Sequence, residues 1–264
     1  MSEQARGTAL VTGASSGIGL ELATLLARDR HDLVLVARSR ERLDAVARGL
    51  GEEYGVSVLV LAHDLSDPAA PEALARELAE RGVAVDILVN NAGFGVYGPF
   101  AETPIAKELE MIQVNVTALT HLTKLLLPAM RARRRGRILN VASTAAFQPG
   151  PLMAVYYASK AYVLSFTEAL ANELDGSGVT VTALCPGPTI TEFQKNAGVA
   201  QSRLFRSMLV MNAPEVARAG YEGMLRGKRI VIPGLGNRML VQALRVSPRS
   251  VITAAARRLQ ESKK

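Results

Sequence analysis

The segment Thr12-Gly13-Ala14-Ser15-Ser16-Gly17-Ile18-Gly19 constrains this chain more than any other. It follows a short apolar run at 8–12 and leads into a stretch with Ile18, Leu22, Leu25 and Leu26 at helical spacing. A buried strand, a glycine-rich turn and an amphipathic helix, in that order, point free helix N–H groups and the positive end of the helix dipole at whatever lies above the turn. Glycines there let the turn tighten and let the backbone approach a pyrophosphate closely. Alone, a glycine pattern is weak, because a glycine-rich connection needs no ligand. The strand before it and the helix after it carry the argument. Gly13, Ser15, Ser16, Gly17, Ile18 and Gly19 are therefore candidate cofactor-binding residues.

The same alternation continues down the chain. Apolar runs recur at 33–37, 56–62, 87–89, 137–141, 179–185 and 229–232. Most are apolar at successive positions, as expected of strands covered on both faces, hence of a parallel sheet. Helical patterns lie between them, at 17–29, 40–53, 68–81 and 155–175, with Asp67 and Pro68 as an expected cap and first-turn pair. With 264 residues and 48% hydrophobic composition, this reads as an α/β chain: a single-domain Rossmann fold, its doubly wound parallel sheet of about seven strands flanked by helices on both faces. The expected organisation is one dinucleotide-binding and catalytic domain over 1–235, with a substrate lid at about 188–213, followed by a basic helical extension at 236–264.

Composition narrows the function classes. Cys185 is the sole cysteine, which excludes an intrachain disulfide, and His31, His63 and His121 are isolated, so no zinc site is expected. Nothing resembles a signal peptide or a run of roughly 18 apolar residues, so a soluble, cytoplasmic protein is expected. The formal net charge of +7 raises nucleic acid and membrane as partners. Arg131, Arg133, Arg134, Arg135 and Arg137 lack any aromatic platform and read as the cationic end of a helix rather than a nucleic-acid site. The tail mixes Arg238, Arg245, Arg249, Arg257, Arg258, Lys263 and Lys264 with Met239, Leu240, Leu244, Val246, Val251, Ile252 and Leu259. It can dock on its own domain, on a second subunit, or on a membrane surface; docking is the expectation.

Two further features specify chemistry. The second apolar run ends Val36-Ala37-Arg38, with no acidic residue at that end. An acid about 20 residues past the glycine turn would hold the ribose 2′-hydroxyl of NAD, whereas arginine suits the 2′-phosphate of NADP. Tyr156 and Lys160 stand four apart on a helical stretch and so share a face. A neighbouring ammonium favours phenolate, and a tyrosine so placed can exchange a proton with a carbonyl oxygen. Ser143 follows the run at 137–141, at the strand end where open α/β sheets bind ligands, and Asn115 interrupts an apolar helical pattern. On an ordinary helix the tyrosine and lysine would be packing and solvation, and the asparagine a satisfied core residue.

Taken in order, the glycine turn, Asp64, Asn90-Asn91-Ala92-Gly93, Asn115, Ser143, Tyr156, Lys160 and Pro186-Gly187 resemble the short-chain dehydrogenase/reductase family over about 8–232. The form of the turn and the Ala37-Arg38 pair resemble its short, single-domain, NADP-preferring members. The resemblance implies an NADP(H)-dependent oxidoreductase that moves hydride between the nicotinamide and a carbonyl or alcohol. Tyr156 would be the acid/base, Lys160 would bind the nicotinamide ribose and lower the tyrosine pKa, Ser143 would orient the substrate oxygen, and Asn115 would hold a proton-relay water. Asp64 and Leu65 would lie at the adenine, and Asn91, Ala92 and Gly93 along the cofactor. Pro186, Gly187, Thr189 and Thr191 would border the nicotinamide and phosphates. Tyr157 reads as packing. A homodimer or homotetramer and a small-molecule substrate are the implied partners, with no nucleic acid. A non-catalytic NADP-binding regulator on the same fold is the competing reading.

The substrate is expected among segments 94–100, 145–155 and 188–211, which offer Phe94, Val96, Tyr97, Phe147, Leu152, Met153, Phe193, Phe205, Met208 and Leu209. Such a lining suits an apolar ketone, 3-oxoacyl or steroid-like compound, unless some of these side chains pack among themselves. For the cofactor, Arg38→Ala is expected to weaken NADPH far more than NADH. Equal losses in the two dissociation constants would refute the assignment of Arg38.

Overall fold

The computed structural model describes residues 7–193, 197 and 210–261. Phe205, Met208 and Leu209, much of the expected lid, and Lys263 and Lys264 of the tail lie outside the described residues.

Alternating elements build one sheet. In chain order these are β1 (Thr8–Thr12), α1 (Gly17–Arg28), β2 (Asp32–Ala37), α2 (Arg40–Tyr54), β3 (Val58–Ala62), α3 (Ala70–Glu80) and β4 (Val85–Asn90). Then come α4 (Ile105–Ile112), a π-helical turn (Gln113–Ala118), α5 (Leu119–Ala132), β5 (Gly136–Val141), a 3-10 turn (Thr144–Phe147), α6 (Ala154–Glu173) and β6 (Val179–Leu184). The chain continues through β7 (Thr189–Ile190), β8 (Met211–Asn212), α7 (Ala213–Leu225), β9 (Ile230–Val231), α8 (Leu235–Val246) and α9 (Arg249–Gln260). Among the described residues the main sheet has seven strands in the order β3-β2-β1-β4-β5-β6-β9, each neighbouring pair parallel. This is the expected doubly wound fold.

Successive strand residues point to opposite faces, and both are buried, as the continuous apolar runs require. On one face Val11, Leu35, Val89 and Leu139 pack with Leu22 and Leu26 of α1, Leu43 of α2 and Met224 of α7. On the other, Leu10, Val34, Leu88 and Ile138 pack with Leu74 of α3, Leu122 of α5 and Leu170 of α6. Helices cover both faces of the central strands, so successive positions there can be apolar.

Two expectations are corrected. Helix α3 begins at Ala70, not Pro68: the Asp67 carboxylate accepts the Ala69 N–H and its carbonyl the Ala70 N–H, forming a separate turn, and Pro71 occupies the first helical turn instead. The short parallel pair β7–β8 was not foreseen, since two-residue strands carry no hydrophobic period.

The order of winding reverses between β1 and β4, which opens a crevice at their carboxyl ends. Gly13 (φ 65°) and Gly17 (φ 56°) take left-handed conformations in the turn above it. Gly19 lies behind the turn, where a methyl group would overlap the Gly13 carbonyl and the Asn91 side-chain amide. Gly19→Ala is therefore expected to displace the turn, lowering stability by about 1–3 kcal/mol in denaturant titrations and weakening NADPH binding. Unchanged affinity and stability would show that the turn tolerates the methyl.

Candidate active site

The crevice is a cleft of about 740 Å³. Its walls come from residues at or just past the carboxyl ends of β1 through β6, among them Gly13, Arg38, Asp64, Asn91, Ser143 and Pro186. Four hydrogen bonds hold the floor together. Thr12 Oγ1 donates to Val89 O (3.2 Å) and accepts from the N–H groups of Asn91 and Ala92 (3.0 Å each). Asn91 Nδ2 reaches back to Thr12 O (2.9 Å).

At one end of the cleft stand Ser15, Ser16, Gly17 and Ile18. Ser16 precedes the first turn of α1 but makes no side-chain cap, so the N–H groups of that turn remain available to an anion. Thr191 rests over Gly17, within contact distance of any side chain there. This cradle fits a pyrophosphate. Asp64, Leu65, Ala92, Gly93, Gly187 and Thr189 line the same cleft. Arg38 lies exposed at its rim, and Arg42 of α2 joins it there, 3.0 Å from the Glu192 carboxylate. Arg42 escaped the sequence reading, which stopped at the end of β2, although one further helical turn would have reached it. The structure leaves two expected residues behind the cleft rather than in it. Gly19 supports the turn from the rear. Asn115 is buried in the π-helical turn, where its Nδ2 donates to Phe94 O (3.0 Å) and Ser159 Oγ (3.1 Å), and its Oδ1 accepts the Phe94 N–H (3.1 Å). Both Nδ2 donors are thereby engaged within the protein, while Oδ1 keeps a second acceptor position.

Ser143, Tyr156 and Lys160 meet on the wall. The Ser143 hydroxyl faces Tyr156 closely enough to lower its pKa. Lys160 Nζ donates to Val141 O (2.9 Å) and lies 5.8 Å from the centre of the Tyr156 ring. Gly93 makes this fit possible, because a methyl there would press on Asn115 Oδ1 and Lys160 Nζ. Ser159, also missed from sequence, ties Asn115 to the Tyr156 carbonyl (2.7 Å). Of the expected apolar lining, Phe94, Met153 and Phe193 face the cleft, with the Phe193 ring 5.4 Å from that of Tyr156. Phe147 packs instead with Val163 and Cys185, and the Tyr97 hydroxyl bonds Gln260 O.

The family follows from the match of this chain to known proteins. Residues 7–202 match the family model described as short chain dehydrogenase. The chain belongs to the short-chain dehydrogenase family. Over 181 residues it is 40% identical to the very-long-chain 3-oxoacyl-CoA reductase of Phaeosphaeria nodorum, an alignment covering 67% of this chain and 53% of that protein. The chain thus spans about half the length of this curated relative. Its fold superposes on a short-chain dehydrogenase from Sphingobium yanoikuyae in complex with NADPH, with TM-score 0.82 and 38% identity over 90% of this chain and 92% of that one. The bulky-bulky ketone specific alcohol dehydrogenase from Comamonas testosteroni gives 0.77 and 33% over 90% and 92%. Among the described residues no helix is long and apolar enough to cross a membrane, and no cluster of His, Cys, Asp or Glu can hold a metal ion.

Burial governs the electrostatics of this site. Tyr156 keeps part of its surface on the cleft, yet the packing around it raises its pKa; the Ser143 hydroxyl pulls the other way. Lys160, only 6% exposed, is pushed down from 10.5 to about 8 by burial. The expectation that the lysine lowers the tyrosine pKa is therefore outweighed here by desolvation. Because the unfolded chain holds the Lys160 proton to higher pH, this residue costs stability below about pH 8, and the cost fades as pH rises toward 10.5. In the cofactor-free protein the Lys160 charge is lost as pH rises through about 8. The NADPH dissociation constant is expected to climb severalfold across that window in fluorescence titrations, and to stay level in Lys160→Met. Parallel profiles for the two proteins would remove Lys160 from cofactor binding.

Proposed function

We propose that this chain is an NADP(H)-dependent oxidoreductase that interconverts a carbonyl and an alcohol on an apolar substrate, with Tyr156 as general acid and base. One observation carries the reading: Ser143, Tyr156 and Lys160, with the Lys160 ammonium beside the Tyr156 ring, share the wall of the cleft that also holds the glycine turn. The named carbonyl chemistry and NADPH complex of the relatives support it.

A bound nicotinamide cofactor supplies the hydride or accepts it. The chain's own residues do the rest. The first turn of α1 and the glycine backbone hold the pyrophosphate, while Arg38 and Arg42 meet the 2′-phosphate as cationic forks. Lys160 donates to the nicotinamide ribose hydroxyls and supplies positive charge beside Tyr156. Ser143 holds the substrate oxygen. In reduction the Tyr156 hydroxyl gives its proton to that oxygen as negative charge develops on it; in oxidation the phenolate takes it back. The raised pKa of Tyr156 keeps it protonated, and so a competent donor, at neutral pH. Asn115 and Ser159 fix the positions of the Phe94 backbone and of the first turn of α6.

The exposed side chains Ile105, Leu109 and Ile112 lie on one face of α4 and support assembly into a homo-oligomer. For the chemistry, Tyr156→Phe is expected to keep NADPH binding and to lose turnover by about 10²–10⁴-fold. The assay is NADPH oxidation over ketones, 3-oxoacyl thioesters, steroids and aldehydes. A fully active Tyr156→Phe protein would end the proposal.

A further inference from the structure

The same cleft has a wall that the glycine turn, Tyr156 and the lid do not account for. Leu240 and Leu244 of α8, and Ile252, Ala255, Ala256 and Leu259 of α9, line it. The α8 pair is spaced i, i+4, and the α9 set i, i+3, i+4, i+7, so each helix turns one apolar stripe to the cleft. The basic residues of the tail, Arg238, Arg245, Arg249, Arg257 and Arg258, are exposed and absent from that lining.

The two helices bracket the reacting groups. Helix α8 packs on the 3-10 turn that follows Ser143, and any side chain at Gly187 would collide with Asn237 of this helix. Helix α9 ends at Gln260, which is 1% exposed and lies against the helix that carries Tyr156. Gln260 Nε2 donates to Tyr157 Oη (2.5 Å), and the Tyr157 ring stands 6.0 Å from that of Tyr156. The Tyr97 hydroxyl donates to Gln260 O (2.9 Å), satisfying a carbonyl at the end of α9 that no further helical turn can reach. Gln260 Oε1 has no partner among the described residues. The side chain is thus held through the Tyr157 bond, and a truncation there has one side-chain bond to lose.

We infer that the helical pair 235–260 forms the substrate-discriminating wall of the cleft, fitted to a carbonyl compound with a bulky apolar substituent, and that Gln260 is the positioning residue that fixes this wall beside Tyr156. The inference rests on the reductase reading above. Ile252 and Ala256 are already buried, whereas Leu240, Leu244, Ala255 and Leu259 keep surface on the cleft and gain burial when an apolar ligand covers them. Ala255, exposed in the middle of the α9 stripe, leaves the space that such a substituent fills. Selectivity then depends on wall volume, independently of the proton transfer at Tyr156.

The test uses the full chain, NADPH and two ketones: cyclopentanone as the small one and benzil, with two aryl groups, as the bulky one. Ala255 is exposed on the cleft rim, so Ala255→Phe narrows the space without overfilling the core. It should lower the benzil-to-cyclopentanone ratio of kcat/KM by about tenfold or more. Ile252→Ala widens the space and should raise the ratio, by about threefold or more. Gln260→Leu should raise KM for benzil by about tenfold with kcat nearly constant, and Tyr157→Phe combined with it should add little. A ratio that stays level in both size variants overturns the wall, and equal loss of kcat for both ketones in Gln260→Leu overturns the anchor. If Ala255→Phe no longer binds NADPH, Ile252→Ala decides alone. A wild-type protein that oxidises NADPH with neither ketone nor any other carbonyl of the panel overturns the reductase reading, and the inference falls with it.

Discussion

Thr12 and Asn91 join the carboxyl ends of β1 and β4 at the point where the sheet reverses its winding. Strands that part there leave backbone groups with no ladder partner, and a crevice with unsatisfied edges would be costly to keep dry. The Thr12 hydroxyl and the Asn91 amide take up those groups, so the crevice is held open by hydrogen bonds rather than by empty space. A second polar row lies behind it. Asn90 Nδ2 donates to Thr123 Oγ1 of α5 and to Asn140 Oδ1 of β5, and Asn140 Nδ2 donates to Thr167 Oγ1 of α6. A buried row of this kind fixes register, because a sliding helix would strand every partner at once. Helix α6 is thereby pinned to the central strands, and Tyr156 and Lys160 inherit their positions from it.

That rigidity allows the site to hold a charge in an unfavourable place. Lys160 has three N–H donors, and Val141 O takes one of them. Burial pushes the lysine toward its neutral form and Tyr156 toward its protonated form, so the cofactor-free pair leans to neutrality. A polyanionic cofactor with ribose hydroxyls reverses both pressures at Lys160, by adding negative charge to the cleft and by giving the remaining donors acceptors. The cost of burying the ammonium is thus offset mainly when the cleft is filled. On the proposed mechanism, this couples the charge beside Tyr156 to cofactor occupancy through electrostatics.

The parts legible in the sequence were those with a local signature. Strands covered on both faces read as continuous apolar runs. The glycine turn read as a turn because strand and helix patterns flank it. Tyr156 and Lys160 read as one face because four residues make about one helical turn. What stayed hidden depends on contacts distant in sequence or on irregular backbone. Ser159 looks like an ordinary helical serine until Asn115, 44 positions away, is seen to bond it. The engagement of Asn115 with Phe94 was equally unreadable, because the π-helical turn that aims it leaves no hydrophobic period. Arg42 was one of several arginines on an exposed helix, and only the approach of Glu192, 150 positions on, marks its end of the cleft.

The tail shows why amphipathic pattern alone cannot assign a partner. An apolar stripe beside arginines fits a membrane surface, a second subunit or the chain's own domain equally well, since periodicity states which residues share a face and not what the face meets. Two tyrosine hydroxyls decide it here. Tyr97 and Tyr157 hold Gln260, one on its backbone and one on its side chain, with Ile252 and Ala256 turned inward while Val246 and Val251 stay outward, 86% and 59% exposed. The orientation of the tail is thus specified at its last helical turn, by polar contacts next to Tyr156, and the apolar stripe follows from it. A wall positioned as inferred can change its side chains to suit a different substrate without disturbing Tyr156 beside it, because on α9 the anchor Gln260 and the stripe use different residues of the same helix.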